Sequence, residues 1–499
     1  MVATPGVDPL VPADAVPRIR ARRLPEPSHF ELARRGAQIA RAVARHFAPL
    51  ALRQLREVRD GPLPAAATAH PLRLTYEELG GTFIKFGQIM ASSPGLFGDE
   101  VADEFRSCLD TGPPVAFGQV RQRVEDDLGM SLSEAFAEFD PEPIGRASIA
   151  VVHWARLHDG RQVAVKVLRP GIEHVVATDL DLMQPFIELV VRHTGDQNAG
   201  STLQLLDGFR EQIGEEMDLR NEARSLAYFR RLGDEVSLPM VVVPEPYPEL
   251  SGPNVLTMEF LDGVPIDDLA RVAEMGVDPV PLIEAVVRGF FLTTVRWGAF
   301  HGDVHAGNML LLRDGRIGII DWGIVGRLDP DTHRFFLRLL AAALGEEAAW
   351  TDVSAHIVRT YGPAIGEAVG LSDEELTGFI RSLIEPTLNR PFGEVSLAGI
   401  MQATQLQVAK AQGIEIRKRS PRAVLHRLRA QRRLRKMADD AGGTFSEFDR
   451  GTFLLGKQLM YFERYGKMFL SDVPILNDRE FFAQLLDSPE ARQATEPAP

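Results

Sequence analysis

The sequence predicts an α+β protein in which a small β-containing lobe precedes a larger helical lobe, and three features predict it. First, the apolar runs Ser148 to Leu157 and Gln162 to Leu168 flank His158-Asp159-Gly160, a pattern that folds into a hairpin. Second, MLLLRDGRIGIID repeats that logic later in the chain, with two apolar runs around Asp314-Gly315. Third, most of the remaining chain carries helical periodicity. With 499 residues and 45% hydrophobic content, the chain can bury a large core shared by two or more structural units.

In chain order, residues 1–27 read as a disordered tail with no basic start and apolar stretch of the kind a secretory signal needs. Ser28 to Arg59 reads as a basic amphipathic helix, with Arg34, Arg35, Arg41, Arg45, Arg53, Arg56 and Arg59 among Ala, Leu and Phe. Gly61 to Pro71 reads as a linker, Leu74 to Ser92 and Gly98 to Leu109 as two helices, and Phe117 to Phe139 as a helical pair. These elements form a helical extension over 28–143. The β-containing lobe spans 144–261: the first hairpin, helices from His174 to Leu232 broken by a polar loop at Gly195 to Ser201, and strand candidates Met240 to Val243 and Val255 to Phe260. The larger lobe over 262–345 carries the second hairpin, and 346–499 is a helical C-terminal region.

A net charge of −14 and a pI near 5.4 exclude a general nucleic-acid binder, which needs a positive field over its footprint. The lone Cys108 allows no intrachain disulfide and no thiolate zinc cluster, which fits a reducing cytoplasm. The most apolar stretch, Ile283 to Phe300, is interrupted by Glu284, Arg288 and Arg296, so the expectation is a soluble or peripheral protein. Arg417 to Lys436 concentrates basic residues around Leu425, Leu428 and Leu434; it reads either as a surface for anionic lipid or as a solvated helix.

Transfer of a phosphoryl group from ATP needs a cation on the phosphates, oxygen ligands for magnesium and a carboxylate for the acceptor. Asp303 and Asn308 supply D-x-x-x-x-N, which places a carboxylate at the acceptor and turns an amide oxygen back to a metal. Asp321-Trp322-Gly323 ends the second hairpin at the position of the kinase D-F-G, making Asp321 the main magnesium ligand. Val163-Ala164-Val165-Lys166 corresponds to V-A-I-K, with Glu222 on a following helix as its partner. Each piece alone is common, but the ordered set points to a protein-kinase-like, two-lobed fold. Where kinases carry a glycine-rich loop, this chain reads Gly145-Arg146-Ala147-Ser148, which alters the clasp on the phosphates because alanine restricts close backbone approach. Glu259-Phe260-Leu261 reads as the hinge whose backbone meets adenine. His301 and His305 flank Asp303 without a third ligand, so they read as loop-shaping groups and not as a zinc site.

Lys85-Phe86-Gly87-Gln88 (K-x-G-Q), Ala147-Ser148, Glu216-Met217-Asp218 (E-x-D), Asp303, Asn308 and Asp321 together resemble the UbiB family of atypical, kinase-like proteins over roughly Tyr76 to Leu328. The resemblance implies a helix carrying Lys85 and Gln88 folded over the active site, met by Glu216 and Asp218, and an ion pair between Lys166 and Glu222. It also implies ATP and Mg2+ as cofactors, a small-molecule or lipid-like acceptor, and a role in isoprenoid quinone or lipid metabolism. Gly145-Arg146, Val151 and Trp322 depart from the family's usual residues. The His301 to Asn308 loop also resembles aminoglycoside- and choline-kinase-like phosphotransferases, and a non-catalytic ATP-binding scaffold is the reading from a different class. K-x-G-Q with E-x-D favours the first reading.

Overall fold

In the computed structural model, residues 21–57, 65–91, 99–105, 107, 112, 114–194, 199–236, 238–361, scattered positions between 374 and 394, 450–473 and 478–495 are described. The basic segment Arg417 to Lys436, Cys108 and the start of the tail lie outside them. The chain divides into two compact units: Met1–Arg231 with Val243–Asp262 and Ile320–Ile324, and Leu232–Val242 with Gly263–Ile319 and Val325–Pro499.

In the first unit, β1 (Glu138–Arg146), β2 (Ala150–Arg156), β3 (Gln162–Leu168) and, from later in the chain, the strand Val255–Glu259 form an antiparallel sheet in that order. The hairpin turn falls where Asp159-Gly160 place it: Gly160 has φ +91°, and Asp159 accepts the Arg161 N–H at 3.0 Å. Strand alternation sorts the residues of β3. Val163, Val165 and Val167 join Val120 and Val124 of the Phe117–Leu128 helix in the core, which sends Lys166 to the opposite face.

β1 was not expected from its sequence, EFDPEPIGR, whose prolines and charges argue against a strand. It survives because it lies at the sheet edge, where proline's missing N–H costs no ladder bond, and its register with β2 is irregular around Pro143. The expected linker is also corrected. Residues from Ala65 onward are helical because the run of alanines favours helix, and Ala65–Leu79 accommodates Pro71. The single helix expected over Leu74 to Ser92 is two, split at Gly80 (φ +70°) and Gly81 (φ +35°) into Ala65–Leu79 and Gly81–Ala91. The helices Ala199–Glu216 and Leu219–Val236 break at Met217-Asp218, inside the E-x-D motif.

In the second unit, β4 (Val241–Val242) lies parallel to the strand Ile317–Ile319, which pairs with Met309–Leu312 across Asp314-Gly315 (Gly315 φ +82°); Gly263–Pro265 completes this sheet. Ala299–His301 and Val325–Arg327 form a separate two-stranded ladder. The helix Arg450–Phe469 buries Leu454, Leu455, Gln458, Phe462 and Tyr465 along one stripe. Its Phe462 ring meets Phe290 of the Val280–Trp297 helix at 4.9 Å. Among the described residues, no helix is long and apolar enough to cross a membrane.

Candidate active-site residues

Lys166 crosses from β3 to the first turn of the Leu219–Val236 helix. Its Nζ lies 2.8 Å and 3.0 Å from the two carboxylate oxygens of Glu222, and 3.3 Å from Asp321 Oδ2. The Lys166 and Glu222 side chains are 12% and 3% exposed, whereas Asp321 keeps 44% exposure and can offer an oxygen outward. Burial works against the Lys166 charge, but the carboxylates of Asp321 and Glu222 outweigh it and hold the ammonium above lysine's usual range. Burial pushes the Glu222 carboxyl up to about 7 against the opposing pull of Lys166, with Asp321 adding to the rise.

Asp321 is positioned by its own backbone. The Gly323 N–H donates to Asp321 Oδ1 at 3.0 Å, and the Trp322 N–H donates to Glu222 at 3.3 Å. A Cβ on Gly323 would stand 3.2 Å from Asp321 Oδ1, so the glycine of this motif leaves room for that carboxylate. Trp322 is buried and packs on Phe229 with ring centroids 4.7 Å apart.

On the Gly81–Ala91 helix, residues 81–90 are buried except Lys85 and Gln88, which are half-buried on one face. Lys85 forms an ion pair with Glu216, and its positive charge is felt at Lys166. Asp218 departs from expectation. It turns to Arg220, accepting from Nη2 at 2.7 Å and Nε at 2.8 Å, because the chain breaks at Met217-Asp218 and Asp218 stands at the start of the next helix. Of the E-x-D pair, Glu216 is the one bonded to the K-x-G-Q lysine.

The turn from β1 to β2 consists of Ala147, Ser148 and Ile149, with Gly145 still in β1 opposite Val152. The Ala147 N–H donates to Ala150 at 2.9 Å, and Arg169 holds both sides of the turn, Nε donating to the Ala147 carbonyl at 3.0 Å and its N–H to Ile149 at 2.9 Å. Sequence reading missed Arg169 and Gly112. A Cβ at Gly112 would lie 2.0 Å from Arg169 Nη2 and 2.6 Å from the Ala147 carbonyl. At the expected hinge, the Glu259 N–H donates to Glu245 at 2.8 Å, its side chain meets Arg230 at 3.3 Å, and Leu261 is buried. The boundary between units falls just beyond, at Asp262 and Gly263.

In the second unit, the His301 to Asn308 loop is folded by its own polar groups. His301 Nδ1 accepts the Asp303 N–H at 3.0 Å, His305 Nδ1 accepts the Gly307 N–H at 3.1 Å, and Asn308 Nδ2 donates to the Asp303 carbonyl at 3.1 Å. Both histidines bond backbone groups of the loop, and no cluster of three metal-binding side chains occurs among the described residues. The sequence also gave no sign of three further contacts, all from the Arg450–Phe469 helix. Lys457 Nζ lies 2.8 Å from Asp303 Oδ1, Gln458 accepts the Val304 N–H at 3.0 Å, and the Tyr465 hydroxyl donates to the Val304 carbonyl at 3.1 Å. Burial keeps that hydroxyl well above the usual tyrosine range, hence protonated and able to donate. No motif covers this helix, so no local pattern could have pointed to it.

The model of the ABC1 atypical kinase-like domain matches residues 107–351. An uncharacterized aarF domain-containing protein kinase of Arabidopsis thaliana, described as chloroplastic, is 32% identical over 82% of this chain and 73% of its own length. An uncharacterized protein of Mycobacterium tuberculosis is 40% identical over 54% of this chain and 55% of its own. A probable protein kinase UbiB of Marinobacter nauticus is 34% identical over 67% of this chain and 60% of its own. The chain thus spans less than two thirds of the last two relatives. The chain belongs to the ABC1/UbiB family of atypical kinase-like proteins, and its α+β fold is kinase-like.

Proposed function

We propose that this protein is an atypical kinase or ATPase that binds Mg-ATP and transfers the γ-phosphoryl group to a small-molecule or lipid-like acceptor or to water. The observation that carries this reading is the trio Lys166, Glu222 and Asp321, in which a buried ion pair fixes a lysine beside a half-exposed carboxylate. Lys166 binds the phosphates, and Glu222 holds its ammonium in place. The hard oxygens of Asp321 and Asn308 suit magnesium, which when bound neutralises charge on the phosphates. Asp303 orients the acceptor hydroxyl or water and takes its proton. The Ala147 to Ile149 turn, pinned by Arg169, covers the phosphates, and the backbone at Glu259 to Leu261 receives adenine. Lys85 and Gln88 keep peptides from the acceptor side, so generic protein substrates stay unphosphorylated. A role in isoprenoid quinone or lipid metabolism follows from the family resemblance.

The roles separate in two variants of the full chain. Asp321→Asn is expected to abolish Mg-dependent nucleotide binding in equilibrium titrations, while Asp303→Asn keeps affinity within about 3-fold of wild type and loses ADP release. Equal loss of binding in both variants would overturn the assignment.

A further inference from the structure

The Arg450–Phe469 helix lies beyond residues 107–351, yet it meets the loop of Asp303 through three side chains. Gln458 is fully buried and Tyr465 nearly so, and together they bind both backbone polar groups of Val304, the residue after Asp303. The loop backbone is therefore anchored without Lys457. That lysine addresses the carboxylate alone: Nζ stands 2.8 Å from Asp303 Oδ1 and 5.8 Å from the centre of the Tyr461 ring, with 11% of the side chain exposed. Enclosing an ammonium has a desolvation cost, which a carboxylate and a ring face offset here.

We propose that Lys457 is a positioning residue for phosphoryl transfer, holding the Asp303 carboxylate in the orientation that receives the acceptor's proton. The proposal rests on the function above. In the step, the acceptor oxygen bonds to the γ-phosphorus while the bond from that phosphorus to the β,γ-bridging oxygen breaks. The electron pair leaves with ADP, and the acceptor proton passes to Asp303 and then to solvent. Lys457 transfers no proton.

The test uses the full chain with ATP and measures nucleotide affinity and ADP release. Lys457→Met is expected to lower kcat about tenfold or more while nucleotide Kd changes less than about 2-fold, because a misdirected catalytic group affects turnover and not ground-state binding. Lys457→Arg restores most of the loss. In an Asp303→Asn background, which loses ADP release by itself, Lys457→Met leaves nucleotide Kd within about 2-fold of the single variant, an outcome that structural damage would not produce. Wild-type kcat in Lys457→Met, or a further loss of nucleotide affinity in the double variant, overturns the proposal. Independently of turnover, acylation of Lys457 by a lysine-reactive ester, read by mass spectrometry, should be several-fold faster in Asp303→Asn than in wild type; equal rates overturn the pair. Failure of the wild type to release ADP overturns the phosphotransfer reading and this role with it, whereas wild-type turnover with an unimpaired Lys457→Met overturns the Lys457 role alone.

Discussion

Lys166 sets one positive charge against the two carboxylates of Glu222 and Asp321. Lys166→Ala should weaken nucleotide affinity and turnover together and, by leaving Glu222 buried beside another carboxylate, lower stability by about 3 kcal/mol. Unchanged titration and denaturation curves would show that the lysine has another role. Lys166, Glu222 and Asp321 were legible in the sequence because each belongs to a short local pattern. The reason for the glycine in K-x-G-Q was not legible. A Cβ on Gly87 would lie 2.7 Å from Phe105 Cδ1, and Phe105 is fully buried, so the glycine makes room for a ring brought there by folding. Gly87→Ala should therefore cost about 1–3 kcal/mol in thermal or urea unfolding. A smaller residue at Phe105 should recover part of the loss.

Among the helices, the arginine-rich His29–Glu57 segment shows why charge patterning was ambiguous. Arg35 binds the fully buried Asp179 at 2.6 Å and Arg45 binds Glu78 at 2.7 Å, so these two cations belong to intramolecular pairs. The hairpins and most helices were readable because their periodicity and Asp-Gly turns are local, while β1 and the helical Ala65 to Pro71 stretch depend on neighbours that override composition. The junction of Val280–Trp297 with Pro330–Ala343 supports a pH prediction. His333 is buried, its Nε2–H donates to the Val295 carbonyl at 2.9 Å, and burial holds its ring below the usual histidine range. The unfolded chain thus binds this proton more readily than the folded one. Stability from this group is complete above about pH 6.5 and declines as pH falls through the lowered folded value. His333→Gln should flatten that part of the pH dependence, as read from urea midpoints between pH 7.5 and 5. An equally steep decline in the variant would assign it to other groups.

For the whole chain, a net charge of −14 opposes adsorption to anionic lipid, so any such contact must come from a local basic region. Arg417 to Lys436 is the densest such region in the sequence, and we propose it for that contact. Wild type should co-sediment with anionic liposomes at low salt and detach as salt rises, and replacing the basic residues of that segment with alanine should abolish the effect. Salt-independent binding would sink the assignment. The division of the chain also bears on the order of events during synthesis. The first unit's sheet is complete once Glu259 has been made, but Ile320–Ile324 is the last stretch to join that unit. At roughly 5–20 residues per second, a growing chain holds both partners of the Lys166–Glu222 pair for several seconds before Asp321 exists. A polypeptide arrested on the ribosome between Glu259 and Asp321 is expected to have its strands in place and yet ignore magnesium in nucleotide titrations, a property it acquires only when translation passes Asp321.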